Sequence, residues 1–260
     1  MVGTYNPLLV LLSIVVAIFV SYTALSLAAR VARAKDGSDN TGLWVAGGAI
    51  AMGCGIWSMH FIGMLALSLP VPLTYDVGLT IASLVIAIAI SGFALTVASS
   101  PEINLVQLSV AALILGAGIS GMHYSGMAAI DLLPQITYEP VLLVASIVIA
   151  VAASFAALWL FFQLRHAETR IMKLARVGAA FAMGFAISGM HYTGMAASRF
   201  SPKSFCPGTS NIDAGSLAVT TGVVAFIVLS ITTLFLVLDA RRNAAASAAR
   251  ATSSGAPRSR

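Results

Sequence analysis

Seven long apolar segments dominate this sequence and limit the folds that it can adopt. An α-helix needs about 20 residues to cross a hydrocarbon layer of about 30 Å. Apolar residues make up 59% of the 260 residues and charged residues only 9%, far below the roughly 25% of soluble proteins. A transmembrane β-barrel would instead show short segments of alternating polarity. We therefore predict an all-α, polytopic membrane protein with seven transmembrane helices, over Pro7–Ala29, Leu43–Leu69, Val77–Ala98, Leu105–Ile130, Val141–Gln163, Val177–Ala197 and Ser216–Leu238.

The basic residues predict the orientation of these helices, because Lys and Arg stay on the cytoplasmic side. Of the 14 basic residues, only Arg199 and Lys203 fall on the opposite side from the rest. We therefore expect the N-terminus outside and the C-terminus in the cytoplasm. The basic charge then indicates orientation and not a nucleic-acid partner. The residues on the cytoplasmic side are Arg30, Arg33, Lys35, Arg165, Arg170, Lys173, Arg176, Arg241, Arg242, Arg250, Arg258 and Arg260.

The sequence Met-His-x-x-Gly-Met occurs three times, beginning at Met59, Met122 and Met190, with spacings of 63 and 68 residues. Each copy lies late in an even-numbered predicted helix. The similarity extends upstream, to a glycine six residues and an isoleucine three residues before each copy. Such internal repetition indicates duplication. We predict three helical-hairpin repeats plus a final helix, with the glycine-rich even-numbered helices in the middle of the bundle, because small residues allow close helix contacts.

Helix geometry places the histidine and the final methionine of each motif on one face, since they are four residues apart. The first methionine is displaced by about 100° and is expected to pack or to serve a neighbouring helix. The helical rise puts all three imidazoles roughly 12–15 Å below the outer boundary. Ionisable residues at such a depth usually face the bundle interior. We therefore expect one cluster of His60, His123 and His191, with Met64, Met127 and Met195 beside them.

These side chains suit a soft metal ion. Imidazole and thioether ligands favour Cu(I), or Cu(II) where imidazole dominates, over Mg²⁺ and Ca²⁺. Zinc would accept three histidines but has little use for methionine, and haem could take His and Met, or two histidines, as axial ligands. Copper is the first cofactor hypothesis and haem the second. Packing alone is a further interpretation of the motif, because methionine and glycine also serve helix contacts.

No sequence motif typical of an enzyme active site occurs, such as GxxxxGK, HExxH or GxSxG. We therefore predict that the chain is not an enzyme.

The three motifs resemble those of the MHYT family, a bacterial integral-membrane sensor domain named for the tetrapeptide Met-His-Tyr-Thr. The tetrapeptide is intact at Met190–Thr193, has Ser125 in place of threonine in the second copy, and keeps only Met-His in the first, where Phe61 and Ile62 follow. The resemblance covers about Pro7 to Leu238. It implies a location in the bacterial inner (plasma) membrane and signal transduction through a copper site near the outer face that senses oxygen, carbon monoxide or nitric oxide. The metal ligands that it implies are Met59, His60, Met64, Met122, His123, Met127, Met190, His191 and Met195.

The chain divides into a predicted seven-helix sensor domain over residues 1–239 and a short basic tail over residues 240–260, disordered or interfacial. Members of the family often carry a signalling domain after the membrane part, and this sequence continues for only about 20 residues after the last predicted helix. We therefore expect a separate cytoplasmic signalling protein as partner. The alternatives are a transporter for copper or another cation and a haem-binding membrane electron carrier. Transport needs further steps towards the cytoplasm, and Met52, Met183 and Cys54 are the only soft groups deeper in the motif helices.

Overall fold

The computed structural model describes residues 3–34, 41–164, 170–207 and 212–254. These residues form seven helices and six strands of two residues each. The helices are α1 (Pro7–Ala34), α2 (Thr41–Leu65), α3 (Val77–Ala98), α4 (Leu105–Ala128), α5 (Pro140–Leu164), α6 (Arg170–Ala197) and α7 (Ala214–Ser254). The strands are β1 (Thr4–Tyr5), β2 (Leu67–Ser68), β3 (Thr74–Tyr75), β4 (Thr137–Tyr138), β5 (Ser198–Arg199) and β6 (Ile212–Asp213).

Six of the described helices, all except α6, are long and apolar enough to cross a membrane. The fold is therefore all-α and consistent with a polytopic membrane protein. Helix α6 has 28 residues, but it begins with the basic segment Arg170–Arg176 and carries His191 and Tyr192 near its end. These polar residues make α6 less apolar than a typical membrane-crossing helix. Six of the seven predicted spans are therefore long and apolar enough to cross a membrane among the described residues.

Some helix boundaries differ from the prediction. Helix α2 ends at Leu65 and not at Leu69, because the next residues pair as strand β2. Helix α7 continues to Ser254, so the predicted tail boundary at Ala240 lies inside this helix. The sequence after residue 240 is rich in alanine, which has the highest helix propensity of all residues. Residues 255–260 of the predicted tail lie outside the described part of the chain.

A polar residue stands directly before each odd-numbered helix and caps it. The side chains of Asn6, Asp76, Glu139 and Asp213 accept hydrogen bonds from backbone N–H groups of the first turn. These N–H groups have no partner within the helix, so the caps define where each odd-numbered helix begins.

Short antiparallel pairings close each hairpin at one end of the bundle, which we call the strand end. Strand β1 pairs with β2, and β4 pairs with β5. In the second hairpin Tyr75 of β3 bridges to Ile130, which follows α4. Strand β3 also pairs with β6, with Thr74 opposite Asp213. This second pairing attaches the start of α7 to the base of α3.

Helices α1 to α6 form a closed ring in which each helix packs against its neighbours in the chain and α6 packs against α1. Helix α7 lies outside the ring, mainly against α2. The placement of the even-numbered helices in the middle is therefore corrected, since all six helices enclose the centre. The repeated glycines explain this, because they contact odd-numbered helices of another hairpin and so bring ring neighbours together. These contacts are Gly53 with Ile88, Gly116 with Val151 and Gly184 with Ile18.

The end opposite the strands, which we call the loop end, carries most of the described basic residues. Arg199 and Lys203 instead lie at the strand end. The basic residues at the loop end are Arg30, Arg33, Arg170, Lys173, Arg176, Arg241, Arg242 and Arg250. Lys35, Arg165, Arg258 and Arg260 lie outside the described residues.

Candidate metal centre

The three motif histidines meet at one point inside the bundle. The Nδ1 atom of His60 on α2 lies 3.1 Å from Nδ1 of His191 on α6 and 3.2 Å from Nδ1 of His123 on α4. The side chains are 0–1% exposed. Their ring centroids are 5.0–5.2 Å apart, with planes inclined at 81–90°. Three nitrogen atoms thus converge where one ion could contact all of them.

The spacing of the nitrogens fits a metal ion. Nitrogens at about 2.0–2.1 Å from one ion lie roughly 3.3–3.6 Å apart, so the two separations from His60 need to widen only slightly. A neutral imidazole nitrogen offers either one proton or one lone pair. The three Nδ1 atoms therefore cannot all satisfy one another, whereas one cation accepts three lone pairs at once.

The outward nitrogen of each imidazole faces a motif glycine of another repeat. A Cβ atom added to any of these glycines would overlap the Nε2 atom of the facing histidine. The Nε2 atoms have no hydrogen-bond partner among the described residues. The glycines therefore leave the space that the rings occupy when their Nδ1 atoms face inward. The facing pairs are Gly63 with His191, Gly126 with His60 and Gly194 with His123.

All six motif methionines are buried, with exposures of 0–3%. Met64, Met122, Met127 and Met195 belong to one apolar cluster that also contains residues of the strand end, such as Tyr75. Met59 packs instead in a cluster with residues of α1. Met190 is 1% exposed. The structure thus brings the imidazoles together and buries all six thioethers, whose role as ligands stays a prediction.

An aromatic layer surrounds the histidines with the same threefold repetition. The residue after each histidine packs edge-on against a tyrosine that precedes an odd-numbered helix. In the first two repeats this tyrosine belongs to the next hairpin, and in the third it belongs to β1 near the N-terminus. The pairs and their centroid distances are Phe61 with Tyr75 at 6.3 Å, Tyr124 with Tyr138 at 5.2 Å and Tyr192 with Tyr5 at 6.2 Å. The layer separates the histidines from the strand end.

Two of these aromatic residues also bond to a buried serine. The hydroxyl groups of Tyr124 and Ser146 are 2.6 Å apart, as are those of Tyr192 and Ser13. Phe61 has no hydroxyl group, and the equivalent serine, Ser83, accepts a hydrogen bond from Nε1 of Trp57 at 3.2 Å. The first repeat thus supplies Trp57 as the donor to this serine, where the other two repeats supply a tyrosine.

Burial keeps the tyrosines of the strand end in their neutral form. It raises the pKa of Tyr75, and burial together with Tyr124 raises the pKa of Tyr138 to about 12. Burial, with a smaller contribution from Tyr192, also raises the pKa of Tyr5. Neutral phenols are poor metal ligands but good hydrogen-bond donors, which suits a supporting role around the histidines.

These tyrosines and serines were missed in the sequence analysis, although a signal for them exists. Thr-Tyr stands before Asn6, Asp76 and Glu139, and a serine follows each of these caps seven residues later, at Ser13, Ser83 and Ser146. The repeat is therefore longer than the Met-His motif and includes the start of each odd-numbered helix.

The fold and the site define a helical membrane protein of three hairpin repeats that surround one buried cluster of three histidines. The chain belongs to the MHYT family, whose family model is described as a bacterial signalling protein N-terminal repeat. Its matches cover residues 1–36, 53–111, 116–173 and 184–250. Three of the four matches begin at Gly53, Gly116 and Gly184, the glycines six residues before each motif, so the family repeat begins within an even-numbered helix and continues into the next odd-numbered helix.

The chain is similar to several bacterial signalling proteins. It is 51% identical over 245 residues to the bifunctional diguanylate cyclase/cyclic di-GMP phosphodiesterase MucR of Pseudomonas aeruginosa, covering 94% of this chain and 35% of MucR. It is 40% identical to the signalling protein YkoW of Bacillus subtilis, covering 79% of this chain and 26% of YkoW. The cyclic di-GMP phosphodiesterase NbdA of Pseudomonas aeruginosa is 37% identical, with coverages of 85% and 28%.

The chain thus spans about a third or less of the length of these curated relatives. No solved structure matches it.

Proposed function

We propose that this domain is a seven-span membrane sensor in which His60, His123 and His191 hold one copper ion. The observation that carries the proposal is the convergence of the three buried imidazoles. Nδ1 of His60 lies 3.1 Å and 3.2 Å from the Nδ1 atoms of His191 and His123, and one ring nitrogen of each histidine lies within 4.8 Å of the other two. Imidazole nitrogen together with nearby thioether sulfur favours copper over ions that prefer oxygen ligands. The close approach of the three nitrogens favours a single ion over haem, because a macrocycle would need space between axial ligands.

Copper bound there would supply either an open coordination position for oxygen, carbon monoxide or nitric oxide, or a change of redox state. The residues of the chain orient the imidazoles and exclude water. The motif glycines hold the rings with Nδ1 inward, and the aromatic layer covers the site from the strand end. A change in the ligands of the copper ion would then displace the histidine rings.

Helix α7 is the proposed output element. His60 is followed by Phe61, which packs against Tyr75 of β3. Tyr75 in turn stands opposite Ile212 of β6, directly before α7. A shift of the first motif would therefore reach α7 through adjacent contacts. A signal is transmitted only if the sensed ligand favours one of two packings, and this short path is where we expect them to differ.

The relatives named as cyclic di-GMP enzymes suggest where the signal goes. We propose that the domain itself is not catalytic and regulates cyclic di-GMP signalling through a cytoplasmic protein or domain reached by α7. The clustering of basic residues at the loop end supports a cytoplasmic loop end and an N-terminus outside the inner membrane.

Elemental analysis tests the metal site. We expect near-stoichiometric copper in purified protein after anaerobic loading with Cu(I), and its loss in a variant that combines His60→Ala, His123→Ala and His191→Ala. Circular dichroism checks that the variant is folded. His166→Ala is the control, because His166 is predicted from the sequence to be a surface residue and lies outside the described residues.

Absence of copper from loaded wild-type protein would contradict the proposed ion, and stoichiometric zinc or iron would identify another. Infrared spectra of the loaded protein under carbon monoxide test gas binding. A C–O stretching band that is present in the wild type and absent in the triple variant is expected.

Cation transport is the second candidate, favoured by one observation. Met52 and Met183 line a cavity on the loop-end side of the histidines, where a transported Cu(I) ion would need further soft ligands. Uptake of copper by vesicles that contain the wild-type protein, lost in a Met52→Leu, Met183→Leu variant, would favour transport over sensing. Leucine already stands at the equivalent position of the second repeat, Leu115.

A further inference from the structure

A cavity of about 130 Å³ lies in the centre of the helix ring, on the loop-end side of the histidine cluster. All six helices of the ring contribute to its wall. The wall includes Ile56, Ile119 and Ile187, each four residues before a motif histidine and therefore about one helical turn away from it. The cavity is thus adjacent to the histidines but is formed by other side chains.

The wall of the cavity is apolar except for hydroxyl groups, and no charged residue contributes to it. Ser21, Ser91 and Ser154 occupy equivalent positions on α1, α3 and α5, each fifteen residues after its helix cap. A helical serine commonly donates to the carbonyl four residues earlier, and Ser21 does so, to Ala17 at 2.8 Å.

The other two serines differ from Ser21. Ser91 and Ser154 are 2% and 4% exposed, and their Oγ atoms have no hydrogen-bond partner among the described residues. A buried hydroxyl group without a partner is costly. These two hydroxyl groups are therefore available to a molecule inside the cavity.

We propose that the cavity binds a small, uncharged, largely apolar molecule of about one six-membered ring, oriented by a hydrogen bond to Ser91 or Ser154. An apolar cavity of about 150 Å³ is large enough for benzene or xenon. An ion would lose its hydration without meeting an opposite charge. The site is distinct from the metal centre, because none of the motif histidines or motif methionines lines it.

Methionine signals test this proposal at the site itself. Met52 and Met183 line the cavity, whereas Met64 and Met127 belong to the cluster on the strand side. Protein labelled with ¹³C at the methionine methyl groups, in lipid nanodiscs, is titrated with benzene and with phenol. We expect saturable shifts of the Met52 and Met183 signals with unchanged Met64 and Met127 signals. Linear shifts of all four signals would indicate partition into lipid and would overturn the proposal.

A filled cavity provides the matched comparison. Ala153→Phe places a ring in the cavity wall and is expected to abolish the saturable shifts. Ala152→Phe makes the same change at the neighbouring exposed position of α5 and is expected to leave them intact. Equal effects of the two substitutions would contradict a specific site.

The hydroxyl groups have their own test, which also serves if Ala153→Phe does not fold. A Ser91→Ala, Ser154→Ala variant is expected to bind phenol about two- to tenfold more weakly, since it loses a hydrogen bond of ordinary strength, and to bind benzene unchanged. Equal weakening for both ligands would overturn the role of the serines.

The triple histidine variant separates this site from the proposed metal function. We expect it to retain phenol binding while it loses copper. Loss of phenol binding in the folded triple variant would overturn the independence of the cavity.

Discussion

Gly126 on α4 lies so close to the Nε2 atom of His60 on α2 that a Cβ atom at residue 126 would overlap the imidazole ring. The same relationship joins the other two motif glycines to histidines of other repeats. The glycine of the motif therefore positions a histidine as well as permitting helix contact. This explains why glycine and histidine recur together in every copy.

Gly126→Ala is expected to displace His60 and to weaken copper binding. Overpacking of a filled site costs about 1–3 kcal/mol, which corresponds to roughly 5- to 150-fold in affinity. Competition with a Cu(I)-binding dye measures the change. Gly121→Ala is the control on the same helix, because a Cβ atom there has no neighbour within 4 Å. Similar losses in both variants would argue against the pairing of glycine with histidine.

The bond between Tyr124 on α4 and Ser146 on α5, with 2.6 Å between the hydroxyl oxygens, is expected to stabilise the contact between the second and third repeats. Coupling energies of polar pairs in membrane helices average about 0.6 kcal/mol and reach about 1.7 kcal/mol. A double-mutant cycle of Tyr124→Phe and Ser146→Ala, followed by unfolding in denaturing detergent, measures this coupling. Additive effects of the two substitutions would mean that the bond contributes nothing.

Acidification is expected to weaken the cap of α5. Backbone N–H groups of Leu142 and Val141 donate to the Glu139 carboxylate, and they lower its pKa below the ordinary value of 4.5. The ionised carboxylate therefore stabilises the fold above that ordinary value, and the stabilisation is lost as the pH falls through the lowered pKa. Melting temperatures from pH 7 down to pH 3 are expected to fall more for the wild type than for Glu139→Gln. Parallel curves would contradict this role.

Cysteine labelling is expected to reveal the orientation of the bundle. Two single-cysteine variants are made in a Cys54→Ala, Cys206→Ser background. Lys203→Cys introduces a thiol at the strand end, and Arg241→Cys introduces one on α7 beyond the ring. Both positions are exposed. An impermeant maleimide added to spheroplasts should label residue 203 and leave residue 241 unlabelled until the cells are broken. The reverse pattern would place the N-terminus in the cytoplasm.

The hairpin architecture was predictable because it depends on local properties. Apolar length and helical rise placed the histidines at one depth, and the converging imidazoles agree with that expectation. Helix α6 was predicted as a span like the others, yet its histidine, tyrosine and basic residues keep it below the apolarity of its neighbours. The end of α2 was displaced because strand pairing, a tertiary contact, competes with the helix for residues 67–68.

The central placement of the motif helices was wrong for a different reason. Glycine content indicates that a helix is approached closely, but it does not indicate by which helix. Gly53 contacts Ile88 of α3, whereas Gly63 and its equivalents face a histidine of another motif helix. The order of the helices around the ring decides which helix approaches each glycine, and no single segment specifies that order. The same arrangement leaves the cavity at the centre.

The sequence by itself determined that three imidazoles lie at one level of an apolar bundle, each in a hairpin that also carries two motif methionines, because helical period and rise act within each segment. Only the tertiary structure decided that the Nδ1 atoms face one another and the Nε2 atoms face glycines. The orientation of each imidazole ring depends on the space that a residue of another repeat leaves for it, as Gly126 leaves space for His60. The candidate metal centre thus arises from contacts between repeats that each carry only one of its imidazoles.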